Sequence, residues 1–88
     1  MITPGRVVLS KSGHDKDRFY LVVKSEDGSA FIADGRRRKL DAPKRKNPRH
    51  LGLTKTSFDM SEITTDKKLR SALALFLKDA QPGEEEGG

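Results

Sequence analysis

Two Asp-Gly dipeptides, Asp27-Gly28 and Asp34-Gly35, bracket the five residues 29–33, Ser-Ala-Phe-Ile-Ala. Glycine accepts the positive φ that a primed turn requires at its second central position, so each dipeptide marks a two-residue reversal of an extended chain. Five residues between two reversals are too few for a helix and enough for a strand. The segments on either side must then run antiparallel to it, which commits the region to a meander.

The neighbouring runs agree. Residues 5–10, Gly-Arg-Val-Val-Leu-Ser, and residues 18–24, Arg-Phe-Tyr-Leu-Val-Val-Lys, are short, β-branched and aromatic, and they are bounded by Gly, Ser, Asp and Lys. The second of these strands is expected to end near Glu26. A further strand begins at Arg36 and fades before Pro43, and a last one spans about 51–55. Five strands this short cannot bury a face as a flat sheet, so the expectation is a small closed barrel, which also removes exposed edges. If both turns are two-residue loops, Phe19, Leu21, Val23 and Ile32 share one face. The same register carries Arg37 and Lys39 onto that face, so either a bulge intervenes or those two lie at the rim. Tyr20 and Phe31 fall on the opposite face, where core packing is expected and an exposed stacking ring is the alternative.

Beyond residue 56 the pattern changes. Residues 57–65 read as a polar connector, and Leu69, Ala72, Leu73, Phe76, Leu77 and Ala80 follow the i, i+3, i+4, i+7, i+8, i+11 spacing of one helical face over 66–80. Thr65 caps the start, Asp66 complements the helix dipole, and Pro82-Gly83 stops it. The stripe is expected to cover an open end of the barrel, with docking of a partner protein as the alternative. Residues 81–88, Gln-Pro-Gly-Glu-Glu-Glu-Gly-Gly, have nothing to bury and are expected to form a disordered acidic tail. The organisation is thus a barrel over 1–56, a connector, a helix and a tail.

Charge is distributed unevenly over that plan. Residues 1–56 hold 14 basic and 6 acidic side chains and residues 57–88 hold 4 and 7, so the halves carry +8 and −3. Residues 35–50, Gly-Arg-Arg-Arg-Lys-Leu-Asp-Ala-Pro-Lys-Arg-Lys-Asn-Pro-Arg-His, pack eight Lys or Arg against one acid, Asp41. A density of +7 in so short a stretch repels itself unless an anion is near, which points to a polyphosphate partner. Arginine offers phosphate a bidentate fork and lysine a mobile point charge, while Pro43 and Pro48 stiffen the segment. No Phe, Tyr or Trp interrupts it, so contact with folded or double-stranded RNA through backbone and shape is favoured over stacking along a single strand.

Other chemistries find little support. The chain has no cysteine, hence no disulfide, thiolate metal site or Cys nucleophile. His14 and His50 are far apart in sequence, His14-Asp15 reads as a polar loop pair, and no Gly-rich nucleotide loop or metal-ligand spacing occurs. The expectation is no enzyme, no cofactor, no metal and no small-molecule substrate. The longest apolar run, residues 72–77, falls far short of the roughly 20 residues of a membrane span, and no signal-peptide core precedes the first strand. A cytoplasmic protein without a membrane partner is expected.

Residues 5–23, Gly-Arg-Val-Val-Leu-Ser-Lys-Ser-Gly-His-Asp-Lys-Asp-Arg-Phe-Tyr-Leu-Val-Val, resemble the KOW motif, a strand, a glycine-containing loop and a second strand. The likeness continues through residues 33–40 and 43–51, and it is specifically to bacterial KOW-domain RNA-binding proteins similar to a KOW-type large-subunit ribosomal protein of archaea and eukaryotes. Gly13 matches the family's earlier loop glycine, whereas Asp17 follows Lys16 where the family usually carries glycine. The resemblance implies an SH3-like five-stranded barrel that binds structured, often ribosomal, RNA in association with the ribosome or translation. Its runner-up is a KOW module that docks on RNA polymerase or a ribosomal protein, and duplex DNA binding trails. The candidate RNA-binding residues are Lys11, Lys16, Arg18, Arg36, Arg37, Arg38, Lys39, Lys44, Arg45, Lys46, Asn47, Arg49 and His50.

Overall fold

The computed structural model describes residues 2–79. Within them lie β1 (Arg6–Ser10), β2 (Phe19–Glu26), β3 (Ser29–Ala33), β4 (Lys44–Lys46), β5 (Leu51–Ser57) and α1 (Asp66–Asp79), with single 3₁₀ turns at Gly13–Asp15, Pro48–His50 and Met60–Glu62. The five strands form one antiparallel sheet in the order β4-β3-β2-β1-β5. The expected tail, residues 81–88, and Ala80 lie outside the described residues.

The first Asp-Gly pair turns as expected. Asp27 and Gly28 both have positive φ, 52° and 76°, the signature of a type I′ hairpin, and Glu26 pairs with Ser29 across it. The second does not, and no strand begins at Arg36. Asp34 instead folds the chain locally: its Oδ1 accepts the backbone N–H groups of Arg36 and Arg38, each at 2.9 Å. β3 finds its next partner only at Lys44–Lys46, after ten residues of loop. Arg37 and Lys39 are exposed on that loop, which removes the register conflict they posed.

The expected shared face is corrected by a β-bulge. Leu21 pairs with Ala33 and Val22 with Ile32, but the next pair is Lys24 with Phe31, so Val23 is the extra residue. One inserted residue reverses the side-chain parity. Ile32 therefore joins Tyr20 and Val22, while Phe19, Leu21 and Val23 point the other way.

Both faces of the sheet are buried, by different means. One face, Val7, Leu21 and Ala33, packs under Leu69, Ala72, Leu73 and Phe76 of α1 together with Ile63 of the connector. Phe19 and Phe76 meet edge to face with ring centroids 5.0 Å apart. The opposite face, Val8, Tyr20, Val22, Ala30, Ile32 and Leu51, has no helix over it and is nonetheless almost wholly dry. A sheet coiled upon itself, with Ile2 packed against it, accounts for such a face. The chain path requires the same coil: the two edge strands, β4 and β5, are separated by residues 47–50 alone, and a flat five-stranded sheet would set its edges roughly 19 Å apart. A four-residue link containing a 3₁₀ turn is too short for that. No ladder joins β4 to β5 among the described residues, so the coil is an open one.

The helix begins as expected, with the Thr65 hydroxyl accepting the Lys68 N–H at 3.1 Å. Asp66 takes a second role, since its Oδ1 accepts the N–H of Leu40 at 2.7 Å. Leu77 departs from the expected stripe: it is 41% exposed. It sits roughly 80° around the helix from Leu69, at the margin of a face centred on Leu69, Ala72, Leu73 and Phe76.

Candidate nucleic-acid interface

β4 decides which of the basic residues face outward. Lys44 pairs with Ile32 and Lys46 with Ala30, both residues of the dry inner face, whereas Arg45 pairs with the outward Phe31. The two lysines are therefore turned into the mouth of the coil, and there they meet Asp15. Lys44 Nζ donates to Asp15 Oδ2 at 2.6 Å, Lys46 Nζ lies 3.6 Å from the same oxygen, and Lys46 Nζ also donates to the Ser12 carbonyl at 3.0 Å. The Tyr20 hydroxyl completes the group by donating to Asp15 Oδ1 at 3.1 Å. Asp15 is 3% exposed and Lys46 is 8% exposed, so this is a polar plug in the coil's open end and not part of a free surface. Residues 44–46, outside every expected strand, thus form one, with Lys46 buried, Lys44 half-buried and Arg45 exposed.

Burial alone would push the Asp15 carboxyl up. Hydrogen bonds from Lys44 and Tyr20, with the charges of both lysines, outweigh it and hold the group below the usual carboxylate range. The Tyr20 phenol is pushed up to about 12 by its own burial and by the carboxylate it faces.

The loop 34–40 is the most firmly built of the basic segments. Arg38 O accepts N–H groups from Asp34 and Gly35, both at 3.0 Å, Arg70 Nη1 donates to Gly35 O at 2.9 Å, and Leu40 is tied to Asp66. Gly35 itself has φ +81°, and a Cβ there would come within 2.7 Å of the Asp66 carbonyl oxygen and 2.8 Å of Arg70 Cγ. The loop thus lies directly against the helix start, where a side chain would not fit. On this frame Arg36, Arg37 and Lys39 are exposed and Arg38 is half-buried. Arg36, Arg18 of the β1–β2 loop and Arg70 of α1 line one groove of about 420 Å³, with Asp17 and Asp34 among its walls.

The remaining candidates lie elsewhere. Lys11 and Lys16 are exposed on the β1–β2 loop, and the Lys11 N–H donates to the His50 carbonyl, which sets Lys11 beside the exposed imidazole's backbone. Asn47 spends its Oδ1 on the Arg49 N–H at 3.0 Å as the cap of the 3₁₀ turn. Arg49 lines a separate apolar groove with Ile2, Pro48 and Leu51. Arg45 is exposed on the outer sheet face, with Nε donating to Ser29 Oγ at 2.9 Å. The sequence cluster 35–50 is in this way divided among a clamped loop, a buried plug and an outer strand face.

Asp17 adopts φ 68°, so it takes the left-handed conformation for which a glycine would be favoured. His14 is exposed while Asp15 is committed to Tyr20 and the lysines, so the two sequence neighbours do not act as a pair. Among the described residues no helix is long and apolar enough to cross a membrane. No family model and no curated protein matches the chain.

Proposed function

We propose that this protein binds structured RNA, ribosomal RNA foremost, through a basic surface on a KOW-type, SH3-like barrel. The observation that carries the reading is the clamped loop: Arg36, Arg37 and Lys39 are exposed on a backbone fixed by Asp34, Asp66 and Arg70, so phosphate contact would cost little ordering. Arg18 shares the groove at Arg36, and Arg45, Arg49, Lys11 and Lys16 extend the positive field around the coil. The barrel reading is supported by the dry inner face and the short link between edge strands, and the KOW reading by left-handed backbone at Gly13 and Asp17 in the β1–β2 loop. Contacts of this kind grip backbone and shape and carry little base information.

A salt titration of binding to an RNA hairpin tests it. Neutralising about 4–6 phosphates gives a log–log slope of roughly −3 to −5, and a slope near zero rejects an electrostatic interface. One observation favours a second reading, docking of the helix on a protein partner such as RNA polymerase or a ribosomal protein: Leu75 and Leu77 are 54% and 41% exposed. Ribosome co-sedimentation that survives high salt and ribonuclease but is lost in Leu75→Ser would select that reading.

A further inference from the structure

On the helix-side face of the sheet, cover runs out at Phe31. The half-buried Phe31 ring lines a groove of about 500 Å³ together with Val23, Leu40, Pro43 and Met60. That volume lies within the roughly 300–1,000 Å³ of small-ligand clefts and leaves room for one base with its sugar. Two cations attend the ring, and one of them, Lys24, stands over it, so that a stacking base would displace this ammonium onto its own phosphate. Lys24 Nζ is 5.5 Å from the ring centroid, and Arg45 stands directly across from Phe31 on β4. Neither is firmly committed. Lys24 pairs with Glu26 at 3.0 Å, but both side chains are more than half exposed, and such a pair exchanges readily with another anion. Arg45 spends one N–H on Ser29 Oγ and retains the rest of its fork.

An aromatic ring with one exchangeable cation over it and another across from it on β4 fits a nucleotide better than an apolar peptide. A base would stack on the ring while the phosphates on either side met Lys24 and Arg45, whereas an apolar side chain would fill the groove and leave both cations without an anion. We propose that the groove at Phe31 holds one unpaired base of an otherwise helical RNA. The inference rests on the RNA-binding reading and deepens it: the clamped loop grips the duplex backbone, and the groove selects targets bearing a bulged or looped-out nucleotide.

The test uses two RNA hairpins of equal length, one fully paired and one with a single bulged nucleotide, and a third with an abasic residue at the bulge. The full chain is expected to bind the bulged hairpin about 5- to 150-fold more tightly than either of the others, the range that one stacked base supplies. Phe31→Leu keeps an apolar side chain of similar bulk, so it should melt like the parent, bind the paired hairpin unchanged and lose the preference. The chain has no tryptophan, so Phe31→Trp introduces a single indole at the site, whose emission should be quenched by the bulged hairpin and not by the abasic one. Equal binding of the parent to all three hairpins overturns the groove assignment and leaves the RNA-binding reading standing. A preference that persists in Phe31→Leu overturns it as well. Binding to none of the hairpins overturns both. An indole emission that shifts with protein concentration in the absence of RNA assigns the groove to a second copy of the chain, and the proposal fails.

Discussion

Asp15 stays ionised in a dry site because two ammonium groups and a phenol converge on it. Its depressed pKa stabilises the fold above the unfolded value of about 4, and that contribution is lost as pH falls through the folded value. Asp15→Asn should therefore flatten the acid limb of the stability profile. At neutral pH it should cost about 3 kcal/mol, because Lys46 is left buried without its counter-charge. Thermal unfolding across pH reads both effects. Tyr20 has the opposite sign: a phenol raised to about 12 contributes below the unfolded value of about 10 and loses that contribution as pH climbs between the two. The chain has one tyrosine and no tryptophan, so phenolate absorbance follows this group alone and should show a midpoint near 12 in the native protein. A midpoint near 10 without unfolding would contradict the plug. In the sequence, Lys44 and Lys46 look like any other members of a basic run. Their i, i+2 spacing hints at one strand face, but their carboxylate partner lies 29 residues from Lys44 and nothing local names it.

At the scale of elements, α1 was readable because its information is local. Its cap, its first-turn acid and its period as far as Phe76 have their counterparts in the structure, whereas Leu77, expected on the same stripe, is exposed. Phe76 is 8% exposed and packed edge to face against Phe19, so Phe76→Ala should cost about 3–5 kcal/mol in denaturant unfolding, whereas Leu75→Ala should be nearly neutral. The β2–β3 register was not readable, since a single bulge at Val23 reverses half of the pairing and no residue type announces it. The second Asp-Gly misled for a related reason. Asp34 and Gly35 do turn the chain, but the turn is shaped by the helix start at Asp66 and Arg70, more than thirty residues downstream. Gly35→Ala combines left-handed strain of about 1–2 kcal/mol with a collision against helix backbone. It should lower the melting temperature and also loosen the loop that holds Arg36, Arg37 and Lys39, so amide exchange at Arg38 should rise with it.

For the molecule as a whole, the +8 of residues 1–56 was plain from composition, while its division between surface and interior was not. Arg36→Gln, Arg37→Gln and Lys39→Gln together should weaken RNA binding by about 1 kcal/mol or less per charge and leave the melting temperature unchanged. Lys46→Gln should lower the melting temperature, since it removes a donor from the Ser12 carbonyl and a charge from Asp15. If the two variants exchange behaviours, the plug and the surface have been assigned the wrong way round. The strand order also governs when the molecule can exist. β1 lies between β2 and β5, and Val8 waits for Leu53 to complete its pairing, while Leu21 waits for α1 to cover it. A chain emerging from its N-terminus therefore exposes its whole polycationic stretch before the strand and helix that would order it have been synthesised. Its acquisition of structure is a late and non-local event, on the millisecond-to-second scale of sheet proteins more than the microseconds of helical bundles. Release of a chain cut at residue 65 would leave Val7, Leu21 and Ala33 without the helix that covers them, an apolar face beside an exposed polycation.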